Sequence, residues 1–497
     1  FLKNRNARNS DFDADAKKGR SSFLKEKRRE VGMLETFNAF VTKINGFVWG
    51  PVMLILLVGT HVYLTFRTRI IQRKTITAIK LSVTPDSEAS GDVSGFGALA
   101  TALAATIGTG NIVGVATAIG AGGPGAVFWM WLTGLFGMAT KFGEATLAVK
   151  YRVKAKDGSF IGGPMYALER GLGHKWLGVL FAIFTGIACF GIGNMTQANS
   201  IAESMNGTFG VPKIATGIVL MIITGLVILG GVKSISKVCE KLIPLMAGLY
   251  IVGCIVICVI NGAHIPAAFA AIVQGAFNPA AAGGGFVGAT VVACIRAGVS
   301  RGLFTNESGL GSAPIVDACA ATRNTSRQAL ISMSGVFWDT IVVCLMTGLV
   351  LVSSIIKDPV GMEGLKGAQM TAGAFNAIPV IGPAVLTFGL ITFAWSTILG
   401  WAYYGERAWV YLVGVEAIKP FRVAWTIVVL VGCSATLEVV WNVADTLNAC
   451  MAFPNLIALL GLSGVIASET KKYVWDKDAE MGGLMKWMDD VAPSVDK

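Results

Sequence analysis

The stretch ATIGTGNIVGVATAIGAGGPGAVFWMW, residues 105–131, constrains this chain more than any other. It carries no charge and is apolar along most of its length, yet it holds seven glycines and a proline. Runs of about 20 such residues match the thickness of a bilayer core. A glycine inside a helix costs about 1 kcal/mol relative to alanine, so a span that weakens its own middle must gain something there. In lipid, a broken helix leaves N–H and C=O groups without partners. That is tolerated where the freed groups are buried in protein or face a ligand.

Apolar runs of this kind recur through the 497 residues, of which 54% are hydrophobic and only 14% charged. A soluble chain carries roughly a quarter charged residues. The runs do not alternate as barrel strands do, so the fold class is an all-α polytopic membrane protein. Hydropathy and Gly/Pro/charge punctuation cut eleven spans, near 47–66, 95–121, 124–149, 176–203, 212–232, 242–260, 286–310, 330–356, 380–406, 423–441 and 445–467. The expected organisation is a polar extension over 1–32, a first helix and loop over 33–94, two halves of five spans each over 95–285 and 286–467, and a tail over 468–497.

The net charge of +11 raises the question of a nucleic-acid partner. Placed on the loops, 24 Lys and Arg fall on one side of the spans and 3 on the other. The positive-inside rule puts the richer side, with the C-terminus, in the cytoplasm. The charge is thus a matter of membrane topology, and a lipid bilayer, not nucleic acid, is the expected partner. The ten basic residues of 1–32 run against the rule, and that segment reads as a disordered extension. The expected location is the plasma membrane, as a multi-pass protein.

The nine cysteines form no CxxC and the three histidines lie far apart, so buried thiols are expected and no metal centre. HExxH is absent, which argues against an enzyme of that class. Lys141, Arg296 and Arg301 lie within spans three and seven; Lys141 and Glu144 share a helix face and are expected to pair.

Three readings compete for Gly108-Thr109-Gly110-Asn111 in span two. A nucleotide loop fails, because GTGNIVG is not GxGxxG and no strand precedes it. Gly110 and Gly114 are four apart and would suit close helix packing. The third reading is a discontinuous binding helix. Counting five spans on, ACIRAGVSRGLFTNESGLGSAP, residues 293–314, interrupts span seven in the same manner.

The blocks GGPGAVFWMWLTGLFGMATKFGEATLAVKYR (122–152), GGPMYALERGLG (162–173), GLVILGGVKSISKVCEKLIP (225–244), RGLFTNESGLGSAP (301–314) and STILGWAYYGER (396–407) resemble the alanine or glycine:cation symporter family. The resemblance implies a LeuT-like 5+5 inverted repeat with one extra N-terminal helix. It also implies sodium-coupled symport of a small neutral amino acid, with sodium as coupling ion and no cofactor. The amides around Thr109, Gly110 and Asn111 suit a carboxylate, and freed carbonyls near Gly298 an ammonium. By resemblance, the carbonyls of Ala104 and Ile107 and the hydroxyls of Ser396 and Thr397 hold sodium; alternatively these hydroxyls bond the carbonyl four residues back. Gln197 would bind substrate or glue two helices. Trp395 and Ile398 would close over a small side chain, unless Trp395 is core packing. The competing functions are an uncoupled or proton-coupled transporter, or a channel.

Because residues 1–32 offer no apolar face to pack, their deletion is expected to leave insertion and transport unchanged. Membrane-fraction yield and uptake by a chain starting at Met33 test this; loss of inserted protein would refute it.

Overall fold

The computed structural model describes residues 35–86, 89–278, 290–434 and 438–476. The extension over 1–32 lies outside the described residues, as does the tail from 477 on. Twelve long helices carry the architecture: α1 (Glu35–Arg67), α2 in two halves (α2a, Gly95–Thr106; α2b, Gly110–Gly122), α3 (Gly125–Lys150), α4 (Lys175–Phe209), α5 (Lys213–Ile228), α6 (Gly231–Ile260), α7 (Ile265–Phe277), α8 (Val291–Asn306), α9 (Thr325–Lys357), α10 (Ile381–Val413), α11 (Ile418–Ser434) and α12 (Glu438–Gly461). Among the described residues, seven helices are long and apolar enough to cross a membrane. The bent α2 pair makes an eighth.

Local chemistry sets the ends. Ser94 Oγ accepts the Gly97 N–H at 2.8 Å and Asn324 Oδ1 the Arg327 N–H at 2.8 Å, capping α2a and α9; each satisfies a donor that has no partner within its own helix. Several helices outrun the hydropathy boundaries. α6 begins at Gly231, not near 242, because Lys233, Lys237 and Lys241 are helix formers whose charge ends the apolar window but not the hydrogen-bond ladder. α10 likewise runs on to Val413. The segment read as loop over 261–285 contains α7, whose apolar run is too short to cross a bilayer.

α3 packs along α8 and the first part of α9; α4 packs against α10 and α12; α5 lies on α11, and α6 on α10 and α2a. Large apolar side chains face outward where no helix covers them. Val219, Ile222 and Leu226 do so on α5, and Val252, Ile255 and Val259 on α6. A soluble protein rarely shows such a surface, and a lipid-facing one requires it.

At the end of the bundle where α2a begins, the chain entering it is clamped. Val93 bridges Ala320 in parallel. Ala321 N–H donates to Val93 O at 2.7 Å, and Asp92 N–H to Cys319 O at 2.8 Å. Arg152, just past α3, donates to the carbonyls of Ala318 (3.2 Å) and Ala320 (2.8 Å). A short hairpin follows, β1 (Val153–Lys154) against β2 (Phe160–Ile161), and Phe160 N–H reaches Asp92 Oδ2 at 2.8 Å.

Much of the glycine content serves close helix approach. A Cβ on Gly298 would stand 2.3 Å from the Ala126 carbonyl oxygen, and one on Gly302 2.2 Å from Thr133 Oγ1, where α8 meets α3. Gly114 has open space around its Cβ direction, so the Gly110/Gly114 spacing is not a packing motif.

Gly298→Ala is therefore expected to destabilise the protein by about 1–3 kcal/mol through overpacking. Gly114→Ala is expected to leave stability unchanged or slightly raised. Thermal unfolding in detergent compares the two; equal midpoints would refute the packing role.

Candidate functional site

α2 is interrupted at its centre. α2a ends at Thr106, Ile107 turns out of helical geometry (φ −74°, ψ 93°), and α2b restarts at Gly110 at 50° to the first half. The first N–H groups of α2b lack partners within their own half-helix and give this end partial positive charge. Asn111 holds the interruption together. Its Oδ1 accepts the Gly108 N–H at 2.9 Å, and its Nδ2 donates to Asp339 Oδ1 at 2.7 Å and to the Asp339 carbonyl at 3.2 Å. Its side chain thus braces the break against α9, where Asp339 also takes the Thr340 hydroxyl at 2.7 Å.

The second interruption lies within the expected stretch 293–314, but after Gly298 rather than at it. α8 runs unbroken from Val291 to Asn306, so the Gly298 carbonyl stays in the helical ladder and is not freed for an ammonium. Arg296 and Arg301 do not break the helix, because their long side chains reach a vestibule while the backbone continues. The true interruption is the turn after Asn306, where Glu307, Gly309 and Gly311 adopt φ of 55°, 88° and 84°. Such values favour glycine. Glu144 of α3 supports this turn: its Oε1 accepts from Gly309 N–H (3.0 Å), Gly311 N–H (3.1 Å) and Asn455 Nδ2 (2.7 Å). The expected Lys141–Glu144 hydrogen-bonded pair is not formed; Lys141 Nζ is buried without a hydrogen-bond partner. It lies within electrostatic reach of Glu144, Glu307, Asp317 and Asp339.

Between the two interruptions lies a small cavity of about 20 Å³. From α2, Thr106, Gly108, Thr109 and Gly110 line it; Gln197 and Ile192 reach it from α4. A π-bulge over Cys189–Met195 distorts α4, and Gln197 Nε2 donates to the Ile192 carbonyl at 3.0 Å. Its Oε1 lies 3.5 Å from Thr109 Oγ1. Phe304, Thr305 and Glu307 close the α8 side. Glu307, the one ionisable lining residue, takes Trp401 Nε1–H at 3.1 Å and the Ser312 hydroxyl at 2.5 Å. α10 adds Thr397 and Trp401, and α12 adds Asn448.

Ser396 Oγ lies 3.2 Å from the Ala104 carbonyl and 2.9 Å from that of Phe393. Thr397 Oγ1 donates to Phe393 O at 3.0 Å and sits 2.7 Å from the position a Cβ on Gly108 would take. These hydroxyls bond back to their own helix, and both lie against α2 beside its break.

Trp395 and Ile398 stand apart from the cavity. Trp395 Nε1–H donates to Thr224 Oγ1 of α5 at 3.0 Å, and Ile398 is fully buried; neither lines the cavity. On α10 the lining positions are 397 and 401, four apart on one face. Sequence reading missed Phe304, Thr305, Glu307, Trp401 and Asn448. Trp401 carries a legible signal, its i+4 spacing from Thr397, and so does Glu307, an acid within a span. Phe304, Thr305 and Asn448 carry none.

A vestibule of about 360 Å³ opens toward the α2b end, lined by Arg296, Arg301, Asp445, Asn45 and Trp49 among others. Phe304 is the lining residue that vestibule and cavity share. The larger groove, about 800 Å³, lies between the hairpin and the end of α10 and includes no residue of the α2 break.

The sequence profile described as sodium:alanine symporter family matches residues 34–485. The sodium/alanine symporter AgcS of Methanococcus maripaludis is 51% identical over 444 residues, covering 88% of this chain and 97% of that protein. The probable sodium/glutamine symporter GlnT of Bacillus subtilis is 34% identical over 439 residues, covering 88% and 90%. Among solved structures, MhsT in complex with L-phenylalanine aligns at a TM-score of 0.50 and 16% identity, over 81% of this chain and 94% of that one. That likeness concerns the fold, which is of the LeuT type.

Asn111→Ala leaves the Gly108 N–H and the Asp339 carboxylate short of a buried partner, each worth about 1–3 kcal/mol. A marked fall in unfolding midpoint is expected, against little change for Thr109→Ala. Equal behaviour of the two variants in a thermal melt would show that Asn111 does not brace the break.

Proposed function

The chain belongs to the sodium:alanine symporter family, and from that membership we propose that the cavity between the two interruptions is where a small neutral amino acid, alanine first, is carried together with sodium. The protein is a multi-pass membrane transporter, not an enzyme. The observation that carries the site reading is the meeting of the α2b N-terminus, Gln197, Glu307 and Thr397 around one cavity, with Ser396 beside it on the Ala104 carbonyl.

Each part of an amino acid has a chemically matched wall. The carboxylate faces the amides of Thr109 and Gly110, where the half-helix is partially positive. The ammonium faces the α8 side, where Glu307 supplies negative charge in place of the Gly298 carbonyl. Gln197 hydrogen-bonds the substrate. Sodium, a hard cation preferring oxygen, takes the carbonyls of Ala104 and Ile107 with the Ser396 and Thr397 hydroxyls. At about 20 Å³ the cavity holds little more than one water-sized probe, so alanine enters only as lining side chains shift.

Further parts of the reading concern topology. We take α1 to α6 and α8 to α12 as eleven spans, with α2–α6 and α8–α12 as inverted repeats within 95–285 and 286–467. Contacts between repeat counterparts support this, α3 with α9, α4 with α10 and α5 with α11. So does the presence of one interruption in α2 and another directly after α8. The basic loops and C-terminus face the cytoplasm, and the vestibule faces outward.

In proteoliposomes, an inward Na⁺ gradient is expected to drive concentrative alanine uptake. Replacing Na⁺ with K⁺ at matched pH should abolish it. Ser396→Ala with Thr397→Val is expected to raise the half-saturating Na⁺ concentration roughly tenfold or more, about 1.4 kcal/mol. Equal uptake in both ions would favour an uncoupled carrier or channel and overturn the reading.

A further inference from the structure

We infer that Asn448 of α12 is a substrate-binding residue whose side-chain carbonyl accepts a hydrogen bond from the ammonium of the transported amino acid. This rests on the cavity being the substrate site. Asn448 lines that cavity and is 2% exposed. Its Oδ1 is buried and has no hydrogen-bond partner. No other lining residue has an orphaned buried side-chain atom. Thr305 donates to the Arg301 carbonyl at 2.8 Å, Gln197 to Ile192 and Thr397 to Phe393, while Glu307 receives Trp401 and Ser312.

The chemistry of the orphan atom selects its ligand. An amide oxygen only accepts, so its partner carries N–H or O–H, or is a cation. A carboxylate offers neither, and the α2b N-terminus already suits that end of the substrate. An ammonium offers three N–H groups and is charged, and hydrogen bonds to charged groups are the stronger kind. Glu307, the ionisable residue on the same cavity, places negative charge where a cationic group is to sit. Sodium is the other cation available, but its oxygen set gathers at Ser396 and the Ala104 carbonyl. Asn448 therefore adds α12 to the helices that read the amino acid, and does so at its amine.

The test is competition against labelled alanine in proteoliposomes, using alanine, N-methylalanine, N,N-dimethylalanine and lactate. The set compares wild type, Asn448→Ala and Asn448→Asp. In Asn448→Ala, alanine affinity is expected to fall roughly tenfold, as one charge-assisted hydrogen bond is lost. N,N-dimethylalanine, which keeps a single N–H, should change much less, so discrimination between the two narrows. Asn448→Asp keeps the acceptor and is expected to keep alanine affinity within about threefold. Half-saturating Na⁺ should stay unchanged throughout.

Alanine affinity unaltered in Asn448→Ala would overturn the inference. So would a shift confined to Na⁺, which would make the amide an ion ligand. Should Asn448→Ala fail to insert, Asn448→Ser, which keeps a polar group too short to reach, is read by the same criteria. Wild-type protein without sodium-driven alanine uptake would instead overturn the reading of the site itself.

Discussion

Everything at the centre of this molecule depends on backbone groups that lipid cannot satisfy. A helix interrupted in a membrane exposes N–H and C=O groups that must find partners within the protein. Here two buried carboxylates, from the third and ninth helices, resolve the two interruptions. Asp339 of α9 holds Asn111, which in turn holds the Gly108 N–H at the α2 break. Glu144 of α3 collects the Gly309 and Gly311 N–H groups at the turn after α8. The arrangement is reciprocal, since α3 braces the break of the second half and α9 that of the first. Buried carboxylates are costly unless compensated; each here receives several donors, and Lys141 lies within electrostatic reach of both.

This division of labour leaves the cavity walls to other residues. Asn111 and Glu144 are spent on the backbone, so the polar side chains that line the cavity are Thr106, Thr109, Gln197, Thr305, Glu307, Thr397, Trp401 and Asn448. Close helix contact then sets how tightly those walls meet. A Cβ on Gly193 would stand 2.2 Å from Trp401 Cβ, and one on Gly400 2.8 Å from the Ala105 amide nitrogen. Glycine in this protein thus serves two ends, a few positions permitting turns and more of them permitting helices to touch.

The sequence made the architecture readable because the signals are long. Twenty-residue apolar runs, loop charge asymmetry and a polar tetrapeptide inside a span each reflect the bilayer directly. The α2 break fell where Gly108–Asn111 predicted it, and Ser396 lies against Ala104. What failed was local. Carbonyls near Gly298 are not freed, because a helix tolerates glycine and arginine when its neighbour is close and a vestibule receives the guanidinium. Of the two readings of Trp395, lid or core packing, its bond to Thr224 of α5 favours packing, and position 397 marks the face of α10 that meets the cavity. Asn448 was invisible, because a lone Asn in an apolar span acquires meaning only from the helices packed around it.

The partitions at the two ends of the site differ in kind. Toward the vestibule, the lining element held in common is a single aromatic side chain, Phe304. Toward the other end, the chain is held by a backbone bridge between Val93 and Ala320 and by Arg152 on two carbonyls. Opening the two ends therefore asks for different motions, the turning of one side chain toward the vestibule and the parting of paired backbone at the clamp.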